Sequence, residues 1–219
     1  MERWATFDCY GTLVDWRDGI RGELARLFPT ADADVLLERY YAVEPEVQRD
    51  GGLPYRDVMA RTLARVASES GLTVPPGEDD ALGASLPRWP VFPDVRTSLE
   101  QARGRGWRLG ILSNTDRDLI DASVAELRVP FDLVVVASEI GSYKPAHRHW
   151  RVFAERTGVA AERHVHVAQS LFHDIAATNE LGIRSVWINR LGEQPGPQPT
   201  RSLSGLSGLA ETLDELVPI

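Results

Sequence analysis

Phe7-Asp8-Cys9-Tyr10-Gly11-Thr12-Leu13-Val14-Asp15 decides how the rest of the chain is read. A short apolar run, Trp4 to Phe7, leads straight into an acid. A glycine and a threonine follow, then a second apolar pair. The pattern predicts a buried strand over residues 4–8 that presents Asp8 at its carboxyl end, and a tight loop that needs Gly11. In parallel α/β sheets ligands bind outside those carboxyl ends, which makes Asp8 the first candidate for chemistry.

Outward from this stretch, the texture changes twice. From Trp16 to about Pro90, β-branched runs disappear and apolar residues fall at helical spacing. Helices are expected over Gly19–Phe28, Asp34–Gln48, Tyr55–Ser70 and Asp79–Leu86, with Val35, Leu36, Tyr40 and Val43 forming one apolar face. Pro29, Gly51-Gly52, Pro54 and Pro75-Pro76-Gly77 punctuate them as loops. After Pro93-Asp94, helices and strands alternate. Strands are expected at Arg108–Ser113, Leu133–Ser138, His164–Ala168 and Ser185–Asn189. Helices are expected at Val95–Arg103, Arg117–Leu127, Pro145–Thr157, Asp174–Leu181 and Leu209–Leu216, the last following a Pro- and Gly-rich loop over 192–208. Such alternation with near-continuous apolar strands implies an α/β fold, a doubly wound parallel sheet. The helical stretch, residues 16–90, reads as an all-helical cap inserted into a core made of residues 1–15 and 91–219.

Composition narrows the classes. The 219 residues are 43% hydrophobic and 26% charged, ordinary values for a globular protein. A net charge of −8 without a basic block argues against nucleic acid or an anionic membrane as partner. Cys9 is the single cysteine, which excludes an internal disulfide and a multi-cysteine metal site. No apolar run approaches membrane-spanning length, and Glu2-Arg3 opens no signal-peptide core, so a cytoplasmic protein is expected.

Each expected strand of the second half ends in polar groups: Ser113-Asn114-Thr115-Asp116, then Ser142-Tyr143-Lys144-Pro145, then Gln169-Ser170 with His173-Asp174 just beyond. With Asp8 they would gather at one sheet edge as an acid, a hydroxyl, an amide, an ammonium and a second acid. That set suits nucleophilic catalysis, in which a carboxylate attacks, a cation keeps it ionised and donors hold an anion. A cation about 4 Å from a carboxylate is worth about 4 kcal/mol at an effective dielectric near 20, ample to keep Asp8 ionised.

The ordered set FDCYGTLVD, ILSNTD, SYKP and HVAQSLFHDI resembles the haloacid dehalogenase superfamily of hydrolases, over the whole chain. The resemblance implies a Rossmann-like core with a helical cap closing over the site. Phosphatases of that superfamily carry a second acid two places after the nucleophile and an acid opening the fourth motif, which helps bind magnesium. Here those positions are Tyr10 and Gln169, and neither side chain replaces a hard anionic oxygen.

Tyr10 is similar instead to the 2-haloacid dehalogenase branch, which uses no metal or other cofactor. The resemblance then implies that Asp8 displaces halide from the α carbon of a short 2-haloacid, and that water hydrolyses the resulting ester to a 2-hydroxy acid. Thr12 would support the nucleophile loop, Lys144 would hold Asp8 ionised, and Asp174 would orient Lys144 or help activate water. Substrate contacts fall to Cys9, Tyr10, Ser113, Asn114, Gln169 and Ser170, although the alternation of Cys9 away from Asp8 also suits packing. The implied partners are a small organic acid and water, and a homodimer is compatible with the resemblance. The spacing of Gln169 to Asp174 is phosphatase-like with the first acid replaced. Arg39 lies in the part of the cap from which an arginine receives halide in the dehalogenases, but Tyr40-Tyr41 beside it does not reproduce their pattern.

Plainer roles stand beside these. Asp8, Ser113-Asn114 and Asp174 could cap helices, and Lys144-Pro145 could open one. His173 could be a solvated helix-start residue, and His164 and His166 alternate on one strand face without a third metal ligand. Trp89 falls at the expected hinge. Two rival functions remain open: a phosphatase with an atypical metal site, and a catalytically silent small-anion-binding protein.

Overall fold

The computed structural model describes residues 2–49, 52–194 and 196–219. At its centre is β1 (Arg3–Phe7), buried along its whole length. It pairs in parallel with β2 (Trp107–Ser113) on one side and β4 (His164–Ala168) on the other. Outside β2 lies β3 (Leu133–Val136), and outside β4 lie β5 (Arg184–Ile188) and β6 (Arg201–Leu203), so the order is β3-β2-β1-β4-β5-β6. The chain winds outward from β1 to β3, then crosses back to β4. The carboxyl ends of β1 and β4 therefore flank the topological switch point, where open α/β sheets bind ligands.

Strand alternation sends residues to two apolar layers. Ala5, Phe7, Leu109, Ile111, Val165 and Val167 join one cluster, while Trp4 and Leu112 join the other. Helices α5 (Val95–Gly104) and α10 (Leu209–Leu216) pack against each other and place Leu99 and Leu213 in the first cluster. On the second face, α8 (Arg148–Thr157) sets Trp150 against His166 and Phe153 against Trp4 and His164, with ring centroids 5.3, 5.2 and 4.8 Å apart. Phe153 is wholly buried, and truncating such a side chain to alanine costs about 3–5 kcal/mol. The remaining core helices are α6 (Arg117–Leu127), the short α7 (Ala137–Ile140) and α9 (Ala176–Glu180).

Between β1 and α5 come α1 (Trp16–Leu27), α2 (Ala33–Arg49), α3 (Tyr55–Glu69), α4 (Ala81–Ser85) and a 3-10 turn at Leu86–Arg88. The chain leaves and re-enters the sheet layer as neighbouring segments. Val14 bridges Val91 antiparallel, the Phe92 N–H donates to the Leu13 carbonyl at 3.1 Å, and the Asp15 N–H to the Pro90 carbonyl at 2.7 Å. No helix of the described residues is long and apolar enough to cross a membrane.

Several elements differ from the sequence expectation. The third strand stops at Val136, because Ala137–Ile140 coils into a helical turn closed by Gly141 at φ 63°. The helix expected from Pro145 begins only at Arg148, after the Ala146 N–H turns back to the Tyr143 carbonyl. A three-residue strand, β6, lies inside the stretch read as loop. Val35 is 52% exposed, so the apolar face of α2 is carried by Leu36, Leu37, Tyr40, Val43 and Val47 without it. The Gly51 punctuation mark lies outside the described residues.

Candidate active site

Asp8 follows β1, and its N–H still donates to the Val167 carbonyl at 3.0 Å, which extends the ladder and sets its side chain at the switch point. The loop then folds back: the Leu13 and Val14 N–H groups both donate to the Cys9 carbonyl, and the Gly11 N–H to the Val14 carbonyl. Gly11 sits at φ 98°, and a Cβ there would lie 3.0 Å from Trp16 Nε1, so both conformation and space require glycine. Thr12 is thereby held under Asp8. Its hydroxyl donates to Asp8 Oδ2 at 3.0 Å and accepts from the Gln169 N–H at 2.9 Å.

Lys144 is 2% exposed, and its ammonium has three acceptors: Asp8 Oδ1 at 2.9 Å, Asp174 Oδ1 at 2.6 Å and the Leu112 carbonyl at 2.9 Å. Asn114 fixes the lysine's backbone, with Nδ2 donating to the Lys144 carbonyl and Oδ1 accepting the Lys144 N–H. Asp174 lies on a π-helical turn, Leu171–Ile175, entered through Ser170, whose Oγ accepts the His173 N–H at 3.0 Å. This turn, where a plain α-helix from Asp174 was expected, places the second carboxylate against the lysine.

Behind Asp174 runs a buried polar chain. His166 Nε2 donates to Asp174 Oδ1 at 2.9 Å, and Thr6 Oγ1 lies 2.8 Å from His166 Nδ1 and 2.6 Å from His164 Nε2. In the arrangement in which His166 Nε2 carries the proton donated to Asp174, its Nδ1 accepts the Thr6 hydroxyl, and the Thr6 oxygen accepts the Nε2–H of His164. Burial and the neighbouring His166 push the His164 pKa down to about 3, so its ring is neutral.

The two acids differ electrostatically. Burial raises the Asp8 carboxyl above the ordinary carboxylate range, opposed by the Lys144 charge. Burial acts on Asp174 in the same sense, but Lys144 and His166 together hold that carboxyl well below the range. The deeper acid is therefore the permanent counter-ion, and Asp8, nearer the cavity, is the one whose ionisation follows pH. Burial also lowers the His173 pKa, which leaves that ring neutral near pH 7.

A cavity of about 940 Å³ opens above these groups, floored by Asp8, Ser113, Asn114, Lys144 and Asp174 and walled by cap residues of α1 and α2. Ser113 Oγ is buried there without a hydrogen-bond partner, a donor ready for a substrate oxygen. Tyr10 borders the same space, its hydroxyl 3.1 Å from Ser123 Oγ and its ring edge-on to Trp89. Gln169 and Ser170 border it too, although Gln169 Nε2 donates to Glu193 and Ser170 Oγ also meets His173 Nδ1 at 3.1 Å.

Asp8, Thr12, Lys144 and Asp174 are thus brought into one connected cluster. Of the expected substrate contacts, one stands away from the cavity and another is already engaged. Cys9 is wholly buried in the main apolar cluster and does not border the cavity, because the alternation that exposes Asp8 turns it inward. The Asn114 side chain borders the cavity but is engaged at both ends by the Lys144 backbone. Arg39 faces away, donating to the Glu69 carbonyl and Ser70 Oγ, since α2 turns residues 37, 41, 44, 45 and 48 toward the cavity instead. Trp89 packs on Gly19 and Tyr10 beside the cavity without bordering it.

Three features were missed in the sequence. Thr6 sits mid-strand in an apolar run, and its link to His164 and His166 needs the β1–β4 register to be known. Asp116 accepts the Tyr55 and Arg56 N–H groups at 3.0 and 2.9 Å, capping α3 from the sheet layer. Glu44, one acid in a helix that also holds Tyr40 and Tyr41, points at the cavity. The Tyr-Tyr pair beside an acid was the available signal for it.

These residues do not fit a divalent cation. Asp8 and Asp174 each use an oxygen on the same ammonium, which stands between them. Tyr10 and Gln169 supply no carboxylate, and among the described residues no three His, Cys, Asp or Glu side chains converge as a metal cage.

A family model for haloacid dehalogenase-like hydrolases matches residues 3–182. The chain is 25% identical over 222 residues to the (S)-2-haloacid dehalogenase 4A of Burkholderia cepacia, covering 99% of this chain and 94% of that protein. Over 105 residues it is 33% identical to the phosphoserine phosphatase of Thermus thermophilus, covering 47% of this chain and 42% of that one. The crystal structure of an L-2-haloacid dehalogenase superposes with a TM-score of 0.88 at 24% identity, over 97% of this chain and 99% of the other.

Proposed function

The chain belongs to the haloacid dehalogenase-like hydrolases, and from that membership we propose that it cleaves the carbon–halogen bond of a 2-haloacid through an ester on Asp8, without a metal. The observation that carries this reading is the Asp8–Lys144–Asp174 cluster, in which a lysine occupies the space between the two carboxylates. The full-length relationship to a 2-haloacid dehalogenase supports it, whereas the relationship to the phosphoserine phosphatase covers 47% of the chain.

In this reading one Asp8 oxygen attacks the α carbon from the side opposite the halogen. The carbon–halogen bond breaks with its electron pair leaving on halide, and an ester to Asp8 forms. Lys144 and Thr12 hold the attacking carboxylate in place, and Ser113 Oγ meets the substrate carboxylate. Water then adds to the Asp8 carboxyl carbon. The alcohol oxygen leaves with the substrate, which departs as a 2-hydroxy acid carrying a former Asp8 oxygen. His173, neutral and bordering the cavity, takes one proton of that water and returns it to the departing alcohol oxygen, and the other is released as Asp8 regains its carboxylate.

Turnover of 2-chloropropionate in heavy-oxygen water with chelator present tests the reading. Halide release with label entering the Asp8 carboxylate is the expected result, abolished in Asp8→Asn. Halide release without label, or magnesium-dependent phosphate release with no dehalogenation, refutes it.

A further inference from the structure

Expelling a halide leaves an anion inside the protein, and something must meet it. Every cation that borders the cavity among the described residues is already matched: Lys144 by Asp8 and Asp174, Arg17 by Glu38, Arg21 by Asp34 and Arg190 by Asp94. Arg39 points out of the other side of α2. The cavity face of α2 presents Glu44 instead.

This acid is set among neutral groups. Tyr55 of α3 donates its hydroxyl to Glu44 Oε1 at 3.2 Å. Tyr40 and Tyr41 flank it on α2, while Tyr10 after β1 and Tyr143 after α7 complete the surround, and burial raises the pKa of all five phenols. The charged groups across the cavity are the matched pairs already named, together with Asp15 and Asp18 at the start of α1 and Glu193 beside Gln169. Among the described residues no cation is in place to hold a Glu44 carboxylate, and burial pushes its pKa up to about 7. An ionised Glu44 would repel an anion in the cavity, whereas the neutral acid offers an O–H to it.

We propose that Glu44, on the cavity face of α2, is the cap's hydrogen-bond donor to the departing halide. This deepens the dehalogenase reading and rests on it for the identity of the anion. Glu44 keeps its proton throughout. The C–X electron pair leaves on halide, the O–H bonds to it, and the halide diffuses away. Glutamine keeps a neutral donor at this position, while alanine removes it.

The test measures chloride binding to the intact protein by broadening of the chloride-35 NMR line between pH 6 and 8.5, with the pH profile of halide release alongside. Wild-type affinity is expected to fall by about 30-fold at 1.5 pH units above the Glu44 pKa, following the protonated fraction. Glu44→Gln should flatten that dependence, raising affinity and kcat/KM at pH 8.5 above wild type, and Glu44→Ala should also flatten it, with weaker binding than wild type at pH 6 but not at pH 8.5. Arg39→Ala should bind chloride as wild type does. A flat wild-type profile, or a Glu44→Gln profile parallel to wild type, overturns the proposal, as does loss of binding confined to Arg39→Ala. Chloride binding is read without turnover. Titrating chloride affinity with no halide released from any haloacid would therefore sink the reaction and leave the anion site standing. Labelled turnover with flat chloride affinity would do the reverse.

Discussion

Replacing Lys144 with methionine removes the one cation between two buried carboxylates while keeping most of the side-chain volume. Its nitrogen lies 2.9 Å from Asp8 Oδ1 and 2.6 Å from Asp174 Oδ1. At an effective dielectric of 20, each contact represents about 6 kcal/mol of gross attraction. Desolvation opposes that gain, and removing one partner of a buried pair costs about 3–5 kcal/mol net. That is most of the stability of a marginal domain but less than a robust one has. The variant should relieve the loss by taking up a proton, so that the two acids share one hydrogen. About 4 kcal/mol withheld from ionised Asp8 corresponds to about a thousandfold slower ester formation, each 1.36 kcal/mol being a factor of ten.

The pH dependence of stability should change sign as well. In the wild type Asp174 has a depressed folded pKa, so its contribution is present above the ordinary carboxylate pKa and lost as pH falls through the folded value. In Lys144→Met the shared proton raises the folded pKa of the acid pair. The variant should then lose stability as pH climbs through that raised value. Urea unfolding at pH 5 and pH 8, with halide release measured in parallel, checks both parts. A variant that keeps the wild-type slope, or turns over within tenfold of wild type, would refute the electrostatic account of the site.

Two further perturbations address the groups around this triad. Because Asp8 has a raised pKa, kcat/KM should fall on the acid side as Asp8 takes up a proton, and Thr12→Val should move that limb to higher pH by deleting a hydrogen bond that favours the carboxylate. Its expected cost is about 1–3 kcal/mol in kcat, read from steady-state rates over pH 4–8. Asp116→Ala should destabilise the protein by about 1–2 kcal/mol in urea, since the first turn of α3 loses its cap. It should also raise KM more than it lowers kcat, because that cap is a direct tie between the sheet layer and the helices over the cavity. An unchanged KM would show that the tie has no part in closure.

The core was legible where one strand suffices to read it. Phe7-Asp8 announces a buried strand ending in an acid, and the polar ends of β2 and β4 repeat that form, so the floor of the site followed from local pattern alone. What was not legible depends on partners distant in sequence. Thr6 looks like one polar residue in an apolar strand until β4 pairs with it and supplies two imidazoles. Asp116 looks like a cap for its own helix and instead caps α3, some sixty residues earlier. In α2 the apolar stripe gives the helix, but which flank faces the cavity is settled by packing against α1 and α3, and this separates Glu44 from Arg39. The strand β6 is three largely exposed residues in a Pro- and Gly-rich stretch, too short to set any period.

The polar chain from His164 through Thr6 and His166 to Asp174 also bears on how the sheet assembles. Here Thr6 stands opposite His166, and its hydroxyl must find both imidazoles. A slip of one residue would turn Thr6 to the other layer and strand three buried polar groups, at about 1–3 kcal/mol each. The supports of the second carboxylate therefore act as a proofreading device during folding: misaligned sheets are penalised before any substrate arrives, and a chain that pairs its central strands wrongly also fails to build the site.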